Sequence, residues 1–133
     1  MPDAFEDQAW VRLGVATALD KAYAADQRQF IGFLADALEK ALPGEAEIRR
    51  AGFFSNKHVI GISVHLGNDQ FVIEDPGRGP LRAAKGHVVR GITVKTEEIP
   101  MQQALAEIGD ALDHRAKTSE AARNALARMF GLE

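Results

Sequence analysis

The chain has 133 residues, of which 46% are hydrophobic and 26% charged, and its formal net charge is −3 at pH 7. This composition predicts a single globular domain over residues 1–133, and the acidic balance argues against a protein that coats nucleic acid. The absence of cysteine excludes disulfides, thiolate nucleophiles and thiolate metal sites.

Two helices are predicted before residue 45. The first has apolar residues at helical spacing from 11 to 22, and Trp10 widens its apolar surface. Asp26 is well placed as the N-cap of the second helix, in which a three-four repeat of apolar residues runs from Phe30 to Leu42. Pro43 and Gly44 then end the helix.

The middle of the chain has the alternating pattern of strands. The two clearest, residues 58–66 and 70–74, are joined through Gly67-Asn68, which is typical of a hairpin turn. This turn places Val64 opposite Phe71 and Ile62 opposite Ile73, so both apolar sets share one face of the sheet. The opposite face is polar, and we expect it to meet water or a partner.

Two further strands are predicted, one over residues 45–52 and one over residues 87–95. Strict alternation in the latter would place Arg90 beside apolar residues, so a bulge is predicted at Arg90-Gly91. The bulge puts Val89, Ile92 and Val94 on the inner face and turns Arg90 outward.

Two helices complete the chain. Pro100 suits the first turn of the third helix, with Glu97 and Glu98 near its positive end. Thr118 or Ser119 can cap the fourth. The predicted fold is α+β, with two N-terminal helices, a four-stranded mainly antiparallel sheet and two C-terminal helices, the helices packing chiefly on one sheet face.

Residues 75–91 form the most distinctive segment. They hold four glycines, two prolines and four basic residues against one acid, so the segment is positive in a negative chain. It has two interpretations: a solvated connection, or a site that binds an anion or an acidic partner through Arg78, Arg82, Lys85 and Arg90. It lacks the ending of a P-loop and the third glycine of a dinucleotide motif.

The sequence identifies no catalytic or cofactor set. Gly61 to His65 reads as continuous strand and not as a nucleophile elbow, and the four histidines show no metal-ligand spacing. No cofactor and no metal are therefore expected. The apolar runs are shorter than the roughly 20 residues of a membrane span, and the acidic start does not resemble a signal peptide, so a cytoplasmic protein is expected.

Phe53 and Phe54 lie in or next to a turn, where they either anchor the loop to the core or contact a partner, and the Trp10 side of the first helix is a further candidate for partner contact. The small acidic α+β layout is similar to that of bacterial secretion chaperones, which are dimeric and have no active site. The resemblance concerns layout alone and transfers no residue. Elimination therefore favours a non-enzymatic protein-binding, adaptor or chaperone-like domain that forms a homodimer or binds another protein. The alternative is a domain that binds a small molecule, phosphate or another anion through residues 75–91.

Overall fold

The computed structural model describes residues 14–53 and 57–129, and within them it contains four helices and five strands. The helices are α1 (Val15–Ala25), α2 (Gln27–Ala41), α3 (Met101–Ala116) and α4 (Glu120–Met129). The strands are β1 (Ala46–Ala51), β2 (His58–Leu66), β3 (Asp69–Glu74), β4 (Arg82–Val89) and β5 (Ile92–Ile99). The protein is therefore α+β, as the sequence predicts.

The strands form one antiparallel sheet in which spatial order equals chain order, from β1 to β5. Gly67 and Asn68 connect β2 to β3, and Gly67 has a φ of 65°. The predicted register is confirmed, with Val64 opposite Phe71 and Ile62 opposite Ile73. Both pairs are buried and form the inner face of the sheet.

The sheet has five strands and not the predicted four, because Arg90 and Gly91 form a turn and not a bulge. Their φ values are 52° and 81°, and two consecutive positive φ values are the pattern of a two-residue type I′ hairpin loop. The predicted strand over residues 87–95 is therefore the junction of β4 and β5. Glu97 and Glu98, predicted near a helix start, lie in β5.

The predicted helix caps are confirmed at two of the four helices. The Asp26 carboxylate accepts a hydrogen bond of 3.1 Å from the backbone N–H of Gln29, which caps α2. The Ser119 hydroxyl accepts one of 3.1 Å from the N–H of Ala122 at the start of α4. Each bond satisfies a backbone donor that the first turn of a helix leaves unpaired.

One hydrophobic core joins the helices to the inner face of the sheet. α2 contacts β1 and β2, and α3 contacts β4, while α1 packs mainly on α3 and α4 mainly on α2. The largest side chains in this core are almost completely buried: Phe30, Phe71, Leu19, Leu34, Leu38, Leu42, Ile62, Ile73, Leu105, Ile108, Leu112 and Leu126.

α1 and α3 cross at a glycine. A Cβ added to Gly109 would lie 2.7 Å from the Cα of Ala16 and 2.9 Å from its backbone nitrogen. Only a residue without a side chain allows the two helix backbones to approach so closely.

Candidate functional site

The structure does not bring the four predicted basic residues together. Arg78 lies in the loop between β3 and β4, whereas Arg90 lies in the turn at the far end of β4. A strand rises about 3.3 Å per residue, so Arg82 and Arg90 are separated by about 25 Å along the sheet. Arg82 and Lys85, three positions apart on β4, project from opposite faces.

Arg82 and Lys85 also face carboxylates. The Arg82 guanidinium lies 3.7 Å from Glu98 on the outer face. The Lys85 ammonium donates to Glu107 of α3 at 3.0 Å and lies 3.8 Å from Asp69. The hydrogen bond with Glu107 raises the pKa of Lys85, so its ammonium group is stabilised in the charged form. These contacts connect β4 to its neighbours, and anion binding by the four residues stays a prediction.

The first half of the basic segment is a loop, residues 75–81, that is tied to its surroundings by hydrogen bonds. The Asp75 carboxylate accepts a hydrogen bond of 2.9 Å from the N–H of Gly77, and the Leu81 N–H donates to the side-chain carbonyl of Gln27 at 3.1 Å. Leu81 is buried. The loop is thus held against the start of α2, and the second half of the segment is strand.

The outer face of the sheet is crossed by a line of polar side chains. The Thr93 hydroxyl donates to the Gln70 carbonyl at 2.8 Å, and the Gln70 amide donates to the Ser63 hydroxyl at 2.6 Å. Gly86 lies opposite Gln70, and a Cβ there would come within 2.7 Å of the Thr93 side chain. The missing side chain at Gly86 lets Thr93 reach across β4. These three side chains therefore satisfy one another's polar groups.

The exposed apolar surface lies on the β4–β5 hairpin. Five large hydrophobic side chains are exposed in the described part of the chain. Three of them lie on this hairpin: Val89 is 44% exposed, Ile92 is 66% exposed and Val94 is 60% exposed. The register keeps Val89 and Ile92 on the same face as Lys85, the predicted inner face, but neither is buried, because the hairpin that the Arg90-Gly91 turn creates extends beyond the cover of the helices.

β5 is an edge strand that is exposed along almost its whole length. Every residue from Ile92 to Glu98 is exposed, and Ile99 is partly buried. The register shifts once, since His87 pairs with Lys95 and Val88 with Thr93, which leaves Val94 as the extra residue of a bulge. From Lys95 to Ile99 the pairing with β4 is regular. An edge strand presents unpaired backbone N–H and C=O groups, so this regular segment is suited to accept another strand.

The other edge of the sheet has a different character. β1 carries Glu47, Arg49 and Arg50 among its six residues, and Arg49 forms an ion pair of 3.1 Å with Glu74. Arg50 forms an ion pair with Glu39 of α2. No large hydrophobic residue of β1 is exposed. The apolar edge is therefore β5 alone.

A second surface lies between α2 and the β1–β2 end of the sheet. It is a groove of about 590 Å³ that Phe33 lines together with Arg28, Arg50 and Lys57. Phe33 is 47% exposed, and Phe53, two residues after the end of β1, is 83% exposed. The exposure of Phe53 agrees with its predicted partner contact, which stays a prediction. Phe54 and Trp10, the other two residues predicted for this role, lie outside the described residues.

Residues 14–53 and 57–129 contain neither a cluster of metal-binding side chains nor a helix suited to span a membrane. No group of three or more histidine, cysteine, aspartate or glutamate residues that could hold a metal ion occurs in these ranges. None of the helices within them is long and apolar enough to cross a membrane.

Comparison of the chain with protein-family models, with curated proteins and with solved structures finds no match. Arg90 is recognisable in the sequence as a candidate site residue, but β5 is not recognisable there as an edge strand. The sequence feature that indicates the edge is Arg90-Gly91, a two-residue segment that ends in glycine and lies between two alternating runs. Such a segment is typical of a hairpin as well as of a bulge.

Proposed function

We propose that the chain is a non-enzymatic protein-binding domain that accepts an extended polypeptide segment as an additional strand beside β5. The observation that supports this function is the combination of an exposed edge strand with three exposed aliphatic side chains on the same hairpin. Backbone hydrogen bonds along an edge supply affinity, and side-chain contacts on either face supply selectivity.

Isolated exposed hydrophobic residues are ordinary, but here Val89 and Ile92 are cross-strand partners on a sheet edge, and clustered apolar side chains mark interaction surfaces. The charged residues of β5, Lys95, Glu97 and Glu98, limit indiscriminate pairing, because a partner strand must match them. An edge that is both apolar and charged is thus selective. The outer face contributes less, since Thr93, Gln70 and Ser63 already bond one another.

The double variant Ile92→Asp, Val94→Asp tests this function. Both side chains are exposed, so we expect the variant to fold and to lose the apolar contact with a partner. The wild-type chain and the variant are immobilised and exposed to a cell lysate that contains an added tagged copy of the chain. The proteins that each retains are identified, and their affinities are measured again after purification. We expect retention by the wild type to fall at least about tenfold in the variant, which corresponds to about 1.4 kcal/mol of binding free energy.

The matched control is the double variant Ala121→Asp, Asn124→Asp, which adds the same two negative charges at exposed residues of α4, the helix that packs on α2. We expect this control to retain partners as the wild type does. If the β5 variant retains every partner with unchanged affinity, the proposed function is wrong.

A further inference from the structure

β5 is charged in a pattern that is complementary to itself. Lys95 and Glu97 are two residues apart in the regular part of the strand, so they lie on the same face, toward α3. In the described part of the chain, neither forms an ion pair, although Glu97 attracts Lys85 electrostatically. Both charges are thus available to a strand that pairs with β5.

When two identical strands pair antiparallel in one sheet, a two-fold axis perpendicular to the sheet relates them. The axis must pass between one residue and the same residue of the second copy, so each possible register is defined by the residue at the axis. An axis at Lys95, Glu97 or Glu98 would place like charges directly opposite each other, which destabilises a sheet. An axis at Thr96 places Lys95 of each copy opposite Glu97 of the other and pairs the two threonines. This register alone, among those centred on residues 95–98, forms opposite-charge pairs.

The same register gives partial cover to the exposed aliphatic residues. With the axis at Thr96, the bulge residue Val94 of one copy lies near Glu98 of the other, and Ile92 lies beyond the end of the partner's regular segment. Helices of both copies remain on the same side of a continuous sheet, because a two-fold axis perpendicular to the sheet preserves its faces. The arrangement closes the β5 edge of each copy.

We propose that the segment which pairs with β5 is β5 of a second copy, antiparallel and centred on Thr96, with two reciprocal pairs between Lys95 and Glu97. This inference depends on the proposed function, since it names the partner of the same edge. Charge complementarity selects the second copy over other extended segments.

Charge reversal tests the register. In Lys95→Glu both residues of the pair are acidic, and in Glu97→Lys both are basic, so each variant alone faces like charges across the axis. We expect each to dimerise at least about tenfold more weakly than the wild type. An equimolar mixture restores opposite charges at both pairs, as does the double variant Lys95→Glu, Glu97→Lys, and both are expected to dimerise like the wild type. Sedimentation equilibrium over a concentration series measures these constants.

Net charge does not explain the expected rescue, because both single variants stay negative overall, given a wild-type charge of −3. Glu47→Lys on β1 is the matched control. It makes the same charge change as Glu97→Lys on the opposite edge and should leave the dimer unchanged.

Two results would overturn the inference. A wild-type chain that stays monomeric at every concentration rules out the second copy as partner. A dimer that is indifferent to the single variants and to their mixture uses another surface. Neither result decides the proposed function, which depends separately on the loss of partners in the Ile92→Asp, Val94→Asp variant.

Discussion

Replacement of Phe30 by alanine is expected to lower the free energy of unfolding by about 3–5 kcal/mol. Phe30 is 1% exposed, and its ring packs edge-to-face on Tyr23 with the ring centres 5.8 Å apart. Removing the ring leaves a cavity where α2 packs into the core. A domain of this size typically has a stability of about 5–15 kcal/mol, so the loss is a large fraction of the total.

Phe33→Ala is the matched control on the same helix. Phe33 is 47% exposed, and its truncation is expected to cost less than about 1 kcal/mol. Urea unfolding followed by circular dichroism measures both variants. Equal losses at the two positions would contradict the packing of α2 described above.

Replacement of Gly109 by alanine is expected to destabilise the protein by about 1–3 kcal/mol, even though alanine is the better helix former. The added methyl group would lie 2.7 Å from the Cα of Ala16, and a backbone atom cannot move aside as a side-chain tip can. α1 and α3 must therefore separate. Thermal unfolding should show a decrease of roughly 4 °C in Tm for each kcal/mol lost.

Gly32→Ala makes the same chemical change in α2, where the added methyl group meets no atom within 4 Å. There the substitution is expected to stabilise the protein by up to about 1 kcal/mol through helix propensity and a less flexible unfolded chain. Opposite signs at the two glycines are the predicted result. A neutral or stabilising Gly109→Ala would mean that α1 and α3 do not approach at this point.

Local signals predicted much of the fold. Gly67-Asn68 determined the pairing of Val64 with Phe71, because a two-residue turn leaves one register. Asp26 and Ser119 were identifiable as caps because their side chains serve the first turn of a helix. These predictions needed only interactions between residues close in sequence, which is why they are confirmed.

The fifth strand was missed because Arg90 and Gly91 admit two interpretations. A glycine after a bulky residue within an alternating run is typical of a bulge, and arginine rarely adopts the φ of 52° that it has here. Glu97 and Glu98 before Pro100 likewise resemble the start of a helix. Strand pairing with β4 overrides both local preferences.

The candidate site could not be predicted because it depends on which strand lies at the edge. The alternation of Val89, Ile92 and Val94 is the same for a covered strand and for an exposed one. The sequence also cannot show that Arg78 and Arg90 lie at opposite ends of β4, since charge density along a chain does not indicate convergence in space.

The most direct test of the account is amide hydrogen exchange of β5 as a function of protein concentration. If β5 of a second copy pairs with β5, the amides of residues 95–99 should become more protected as concentration rises, while those of β1 stay unchanged. Exchange in β5 that is equally fast at every concentration, or protection that grows at β1 instead, would contradict the account.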